Sequence, residues 1–166
     1  MMACCVFETR YGFVALLKNS GGLRRSVLPR ASRDEAVEAV RAGLDESCVE
    51  DIAAFGEVPG KLVSYFEGER ADFSCVGVDF SNYGAFHAAA LRAAQRISYG
   101  ETVSYRELAH MAGSEKATRA VGNAMARNAT PIIVPCHRVL ACGGLGGFSA
   151  GLGWKRTLLS IEGVRL

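Results

Sequence analysis

Two prolines four residues apart, Pro131 and Pro135, bracket the apolar run Ile132-Ile133-Val134. Each proline lacks a backbone donor and fixes its own φ, so neither a regular helix nor a central strand can run through this stretch. What the chain can build there is a fixed, extended loop whose apolar side chains are buried. Cys136 follows at once, where the apolar run gives way to His137 and Arg138. A thiol pinned at such an edge suits nucleophilic chemistry. A free thiol has a pKa of about 8.5, so it also needs a base or a positive field to raise its thiolate fraction. His137 is the nearest base. Consecutive side chains of an extended segment point to opposite faces, so the imidazole is expected to reach the sulfur through a bridging water or a bend at the cysteine.

The residues before this loop read as helices. Phe86–Ile97 is rich in alanine and leucine and ends before Tyr99-Gly100. Ser104 and Glu107 have the spacing of a capping box, opening a helix that Gly113 closes. Ser114 can cap a second helix from Glu115 to Arg127. On it Ala117, Ala120, Val121, Ala124 and Met125 recur at helical spacing as a buried face. Lys116, Arg119, Asn123 and Arg127 form a polar, basic stripe on the same segment. Two short helices, a glycine turn and a basic face predict a helix–turn–helix that docks on DNA, with an ordinary helical hairpin as the alternative. His87 and His110 are read as structural. Farther on, Trp154, Leu158 and Ile161 define a last helix with Glu162 at its end, just before Gly163. A carboxylate there opposes the helix dipole, so an arginine or histidine partner is expected.

The first half predicts a small α/β unit. Cys4–Thr9, Gly12–Lys18 and Leu23–Leu28 are strands by pattern, the last two joined through Asn19-Ser20-Gly21-Gly22. Ser32 and Glu35 open a helix carrying Val37, Val40 and Leu44. Pro59-Gly60 precedes an amphipathic stretch through Phe66, and Phe73–Phe80 is expected to return as a strand. The polar turn Ser81-Asn82-Tyr83-Gly84 sets the domain boundary, giving an N-terminal structural domain (1–81) and a C-terminal functional one (82–166).

Charge divides along the same line. Residues 1–81 carry 9 Lys+Arg against 13 Asp+Glu, and residues 82–166 carry 10 against 4, so the chain's +2 conceals a basic second half that could steer an anionic polymer toward it. No apolar run approaches the roughly 18 residues that cross a bilayer. The N-terminus lacks a basic, then apolar secretory pattern. No membrane contact is expected, and the expected compartment is the cytoplasm, or the nucleus in a eukaryote. The six cysteines form no C-x-x-C pair, and only three histidines accompany them. That arithmetic argues against a zinc finger and a disulfide scaffold. Cys4, Cys5, Cys48 and Cys75 are expected to be reduced core residues, with a weak metal site at Cys4 or Cys5 left open.

Pro135-Cys136-His137-Arg138-Val139 resembles the active-site signature of the O6-alkylguanine-DNA alkyltransferases. The likeness extends to Tyr99-Gly100-Glu101-Thr102-Val103-Ser104-Tyr105, Arg119-Ala120-Val121-Gly122, Met125, Asn128, Leu158-Leu159 and Glu162-Gly163, in order and spacing over residues 84–166. The first half resembles the family's variable domain only loosely.

The resemblance implies an RNase H-like N-terminal α/β domain, a mainly α C-terminal domain with a winged-helix-like helix–turn–helix, and a monomer. It implies no cofactor and no metal, and duplex DNA carrying O6-alkylguanine, bound through the minor groove, as partner. By the same resemblance Cys136 is the alkyl acceptor and His137 a base acting through water, oriented by Glu162. Tyr105 serves the departing base, and Asn128 ties the DNA-binding helix to the cysteine loop. Met125 and Phe148 line the alkyl pocket. The carbonyls of Cys136 and Val139 and the Ser149 amide read the guanine edge. Arg119 enters the base stack. Lys116, Asn123 and Arg127 meet phosphates, and small residues such as Ala120 allow close approach.

Phe148 and Ala150 depart from the tyrosine and glycine of many relatives, which predicts a restriction on bulky adducts. O4-alkylthymine is a second substrate the family reading leaves open. The rival functions are an alkylated-DNA binder or helix–turn–helix regulator without chemistry, and a cysteine hydrolase. A binder of that kind would replace the cysteine. A hydrolase would need an oxyanion hole and turnover, whereas a thioether is not hydrolysed.

Overall fold

Two-residue turns at Arg10-Tyr11 and Ser20-Gly21 fold the first 30 residues into an antiparallel meander of β1 (Met2–Thr9), β2 (Gly12–Asn19) and β3 (Gly22–Arg30). The computed structural model describes all 166 residues, Met1–Leu166. Glycine is required at both turn exits. Gly12 and Gly22 hold φ of 125° and 128°, and a Cβ there would lie 2.4 Å from the Arg30 carbonyl oxygen and 2.7 Å from that of Gly77. Alternation puts Met2, Cys4, Val6, Ala15, Leu17 and Val27 into one core, where Ala36 and Val40, one helical turn apart, close over them from α1 (Arg33–Arg41). The Ser32 hydroxyl caps α1 by accepting from the Glu35 amide. Cys5 and Leu16 are also fully buried. Helix α2 (Val58–Phe66) carries Pro59 in its first turn, where a missing N–H leaves no bond unmade.

A fourth strand, β4 (Cys48–Glu50), joins parallel to β1, so the order is β3-β2-β1-β4. Three residues offer too short a pattern to show in sequence. The strand expected at Phe73–Phe80 does not form. The Asp72 carboxylate accepts from the Ser74 amide at 2.8 Å, turning the chain, and only Val78 makes a single bridge, to Leu23. Cys75 is exposed rather than in the core; Cys4 and Cys5 are buried, Cys48 is half-buried, and no disulfide joins any of the six cysteines.

The chain divides into two compact units, Met1–Ala71 with Cys75–Asp79, and Asp72–Ser74 with Phe80–Leu166. The polypeptide therefore changes unit three times between residues 71 and 80, where the sequence reading drew one boundary after residue 81.

In the second unit α3 (Ala85–Gln95) packs on α4 (Tyr105–Met111) and α5 (Thr118–Ala126), which pack on each other. Ser104 and Glu107 form the full capping box at α4, and Gly113 takes φ of 89° just beyond its end. Helix α5 starts three residues later than expected. Ser114 caps nothing; its carbonyl accepts from the Ala117 amide in a turn, and Lys116 lies on that turn rather than on the helix. Val121, Ala124 and Met125 are buried, whereas Ala117 and Ala120 are only partly covered. A two-residue parallel pair, β5 (Val103–Ser104) with β6 (Val139–Leu140), sets the loop after Cys136 beside the start of α4. Helix α6 (Leu152–Ile161) completes the unit. No helix is long and apolar enough to cross a membrane.

Candidate active site

The proline loop is not extended, which corrects the sequence expectation. Val134 bridges back to Pro131, with its amide on the Thr130 carbonyl at 2.9 Å, and Cys136–Arg138 forms one 3-10 turn. Each proline still excludes helix and ladder, but the freed backbone groups pair locally. Ile132 takes φ of 72°, a left-handed value that costs a β-branched residue on the order of 1–3 kcal/mol. Its burial, with that of Ile133 and Val134, holds the strained turn shut.

Cys136 stands at the first position of the 3-10 turn and is 5% exposed. Its sulfur accepts from Asn128 Nδ2 at 3.1 Å, and the same nitrogen donates to the Val134 carbonyl at 2.8 Å. Asn128 Oδ1 accepts from the Thr130 amide and hydroxyl. Asn128 therefore joins the end of α5 to the cysteine loop. Burial pushes the Cys136 thiol up, against the downward pull of Asn128 and of the nearby Lys155 charge. The resting group is a thiol, and attack requires a proton acceptor.

The next side chain along is an imidazole held by a carboxylate. His137 is fully buried, with Nε2 2.6 Å from Glu162 Oε1. Arg138 grips the same carboxylate with Nε on Oε2 and Nη2 on Oε1, both at 2.9 Å, while Nη1 donates to the Ile97 carbonyl. The Gly100 amide adds a bond to Oε2 at 3.1 Å. Burial alone would raise the Glu162 carboxyl, but the hydrogen bonds and charges of His137 and Arg138 bring it down to about 2. An ionised carboxylate only accepts, so Nε2 carries the imidazole proton and Nδ1 holds the lone pair. Burial also lowers the His137 pKa, against the pull of Glu162. The ring is neutral at pH 7 and able to take a proton.

Cys136 also lines a cavity of about 280 Å³ with Tyr105, Gly122, Met125, Ala126, Gly147, Phe148 and Ser149. Its walls are mostly apolar, which suits an alkyl group and a flat ring. Tyr105 is half-buried, burial raises its phenol pKa, and its hydroxyl reaches the Gly147 carbonyl at 3.4 Å. Gly146 packs so tightly that a Cβ would fall 2.8 Å from the Tyr105 ring. Val139 is buried outside this wall, and Lys155 Nζ donates to its carbonyl at 2.7 Å and to that of Gly147 at 3.0 Å. Burial lowers the Lys155 ammonium to about 8, with Cys136 pulling the other way.

The site thus unites Cys136, His137, Glu162, Tyr105, Asn128, Met125, Phe148 and Ser149. Arg119, Asn123 and Arg127 are exposed on or just past α5, Lys116 is exposed before it, and Ala120 is partly covered. Sequence reading missed Arg138 as the named partner of Glu162, although it asked for an arginine or histidine there. It missed Lys155 altogether. A signal existed: Lys155, Leu158, Leu159 and Glu162 fall at i, i+3, i+4 and i+7, placing a lysine on the buried face of α6. The structure holds no group of three or more His, Cys, Asp or Glu side chains placed to bind one metal ion.

The sequence profile described as "6-O-methylguanine DNA methyltransferase, DNA binding domain" matches residues 85–164. The methylated-DNA–protein-cysteine methyltransferase of Methanosarcina acetivorans is 35% identical over 98% of this chain and 99% of its own length. That of Metallosphaera sedula is 39% identical over 62% of this chain, the match spanning 64% of that protein. Among solved structures, Mycobacterium tuberculosis OGT in complex with DNA superposes with a TM-score of 0.75 at 30% identity, covering 97% of this chain and 93% of that one.

Proposed function

The chain belongs to the methylated-DNA–protein-cysteine methyltransferase family, and from that premise we propose that it repairs DNA by moving an alkyl group from O6 of a damaged guanine onto its own Cys136. One observation carries this reading. Cys136 lines an apolar cavity, and the residue that follows it, His137, is buried against the Glu162 carboxylate.

In the reaction, Sγ attacks the O6-bound carbon in line. The S–C bond forms as the C–O6 bond breaks, and the bond pair leaves with the base. The thiol proton passes through water to His137 Nδ1, and Glu162 stabilises the resulting imidazolium. Tyr105, kept a phenol by burial, supplies a proton to the departing guanine, which leaves more easily as a neutral molecule. Met125 and Phe148 bound the alkyl group. The Cys136 and Val139 carbonyls and the Ser149 amide read the base edge. Lys155 occupies one lone pair of the Val139 carbonyl, which leaves the other for the base. The product is a thioether that water does not cleave, so each molecule acts once.

The target atom lies inside the duplex, and turning the base out costs a few kcal/mol. We read Arg119 as the side chain that fills the gap from the minor groove, Lys116, Asn123 and Arg127 as phosphate contacts without sequence preference, and Ala120 as a site of close approach. The winged-helix-like assignment of α4–α5, the RNase H-like assignment of the first unit, the functional boundary near residue 81, a monomeric state, a cytoplasmic (or nuclear) location and action on O4-alkylthymine belong to the same proposal.

Intact-mass measurement after exposure to O6-methylguanine DNA is the direct test. The expected gain is a single methyl per chain, mapping to residue 136; transfer of a second methyl, or a methyl elsewhere, overturns the reading. For Arg119→Ala, repair of duplex should slow on the order of tenfold to a hundredfold, since extrusion is worth a few kcal/mol. Reaction with free O6-benzylguanine should hardly change. Equal losses on both substrates would remove Arg119 from base extrusion.

A further inference from the structure

Asn128, the side-chain hydrogen-bond donor to the Cys136 sulfur, sits just beyond the end of α5, with its own amide on the Met125 carbonyl. Its backbone neighbours are held from 44 and 46 residues away. The half-buried Tyr83 hydroxyl donates to the Arg127 carbonyl at 3.0 Å and accepts from the Ala129 amide at 3.0 Å. A hydroxyl can do both at once, which a carbonyl or an amide alone cannot. Tyr83 is itself anchored, its amide on the Phe80 carbonyl at 3.0 Å and its ring against that of Phe80.

We infer that Tyr83 is a positioning residue for the nucleophile: its hydroxyl clamps the backbone on both sides of Asn128 and so keeps the carboxamide on the Cys136 sulfur. Asn128 Nδ2 divides between two acceptors, the Cys136 sulfur at 3.1 Å and the Val134 carbonyl at 2.8 Å. Sulfur is the weaker acceptor of the two, so a small rotation of the carboxamide forfeits that bond first. The thiolate then loses a donor just when charge gathers on it. The other groups facing Cys136 are Lys155 from α6, Tyr105 from α4, and the adjoining His137 with Glu162 and Arg138. Neither hydroxyl bond of Tyr83 reaches any of them, so its effect runs through Asn128 alone.

The inference rests on Cys136 being the acceptor, and its test separates the two. Tyr83→Phe removes the hydroxyl and keeps the ring. Carbamidomethylation of residue 136 by iodoacetamide, followed by peptide mass from about pH 6 to about pH 10, reads the thiol directly across its titration. The variant should react about tenfold more slowly near pH 7, the scale of one charge-assisted hydrogen bond, and match the wild type at the alkaline limit, with its midpoint moved to higher pH. In an Asn128→Ala background the same change should have no further effect. A profile superposable on the wild type, even with a lower Tm, overturns the inference. So does an equal slowing at every pH, or full additivity with Asn128→Ala. If instead wild-type protein takes no methyl group from O6-methylguanine DNA, the acceptor assignment fails while the iodoacetamide comparison still judges Tyr83.

Discussion

Glu162→Ala is expected to destabilise the second unit by about 3–5 kcal/mol, the usual cost of leaving a buried charge without its partner. The stranded charge is Arg138. Its side chain is 5% exposed, and two of its three donor nitrogens bond Glu162. Chemical denaturation of the variant should show the loss as a lower midpoint, and a variant within about 1 kcal/mol of wild type would contradict the pairing. Alkyl transfer should fall as well, by about a hundredfold to ten-thousandfold, because His137 loses the acceptor that fixes its tautomer and steadies its charged form. Acid should reproduce the defect in the wild type. The folded carboxyl titrates at about 2, below the ordinary value of about 4.3. Its contribution to stability is therefore complete above the ordinary value and drains away as the pH falls from there toward 2. Glu162→Gln should lack that acid limb.

How far this site could be read in advance depended on how local its causes are. The Ser104–Glu107 capping box, the buried stripe Val121, Ala124 and Met125, and the β1–β2–β3 meander rest on spacings of two to four residues, and all three formed. Expectations failed where a competing local bond intervened. The Asp72 turn cancelled a strand at Phe73–Phe80, and the Ser114–Ala117 turn trimmed α5. The proline loop, expected to be extended, is folded into turns. Prolines state which bonds are forbidden, whereas the 3-10 turn at Cys136–Arg138 depends on partners the loop finds after folding. The 3-10 turn supplies the bend at the cysteine that the sequence allowed beside a bridging water. The bond from Nε2 to Glu162, 25 residues on, sets the ring's direction. Tyr83 lay further out of reach, because nothing in its neighbourhood marks a hydroxyl that meets the backbone beyond α5.

Lys155 is the part of the site with the sharpest consequence for pH. A buried ammonium near a thiol stabilises the thiolate, and an opposite charge at close range moves a pKa by about 1–3 units. Lys155→Met keeps the length and the apolar stem while removing the charge. Cys136 should then react on the order of a hundredfold more slowly near pH 7, measured as benzyl transfer from O6-benzylguanine, with its rate rising later on the alkaline side. Stability should respond in the opposite sense. The folded ammonium titrates at about 8, below its ordinary value of about 10.4. Between those values the unfolded chain binds the extra proton, so wild-type stability should climb as the pH rises through that window. Below it, the buried charge is a burden on the fold. The methionine variant should be nearly as stable as wild type at pH 7 or more so, since replacing a buried charge by an apolar group of similar volume is often neutral or favourable, and its stability should lack the alkaline climb. The two carbonyls that lose their donor, Val139 and Gly147, set the limit on that gain. A variant that keeps wild-type reactivity while losing the climb would show that the lysine burdens the fold without serving the sulfur, and its place beside the thiol would then need a structural cause.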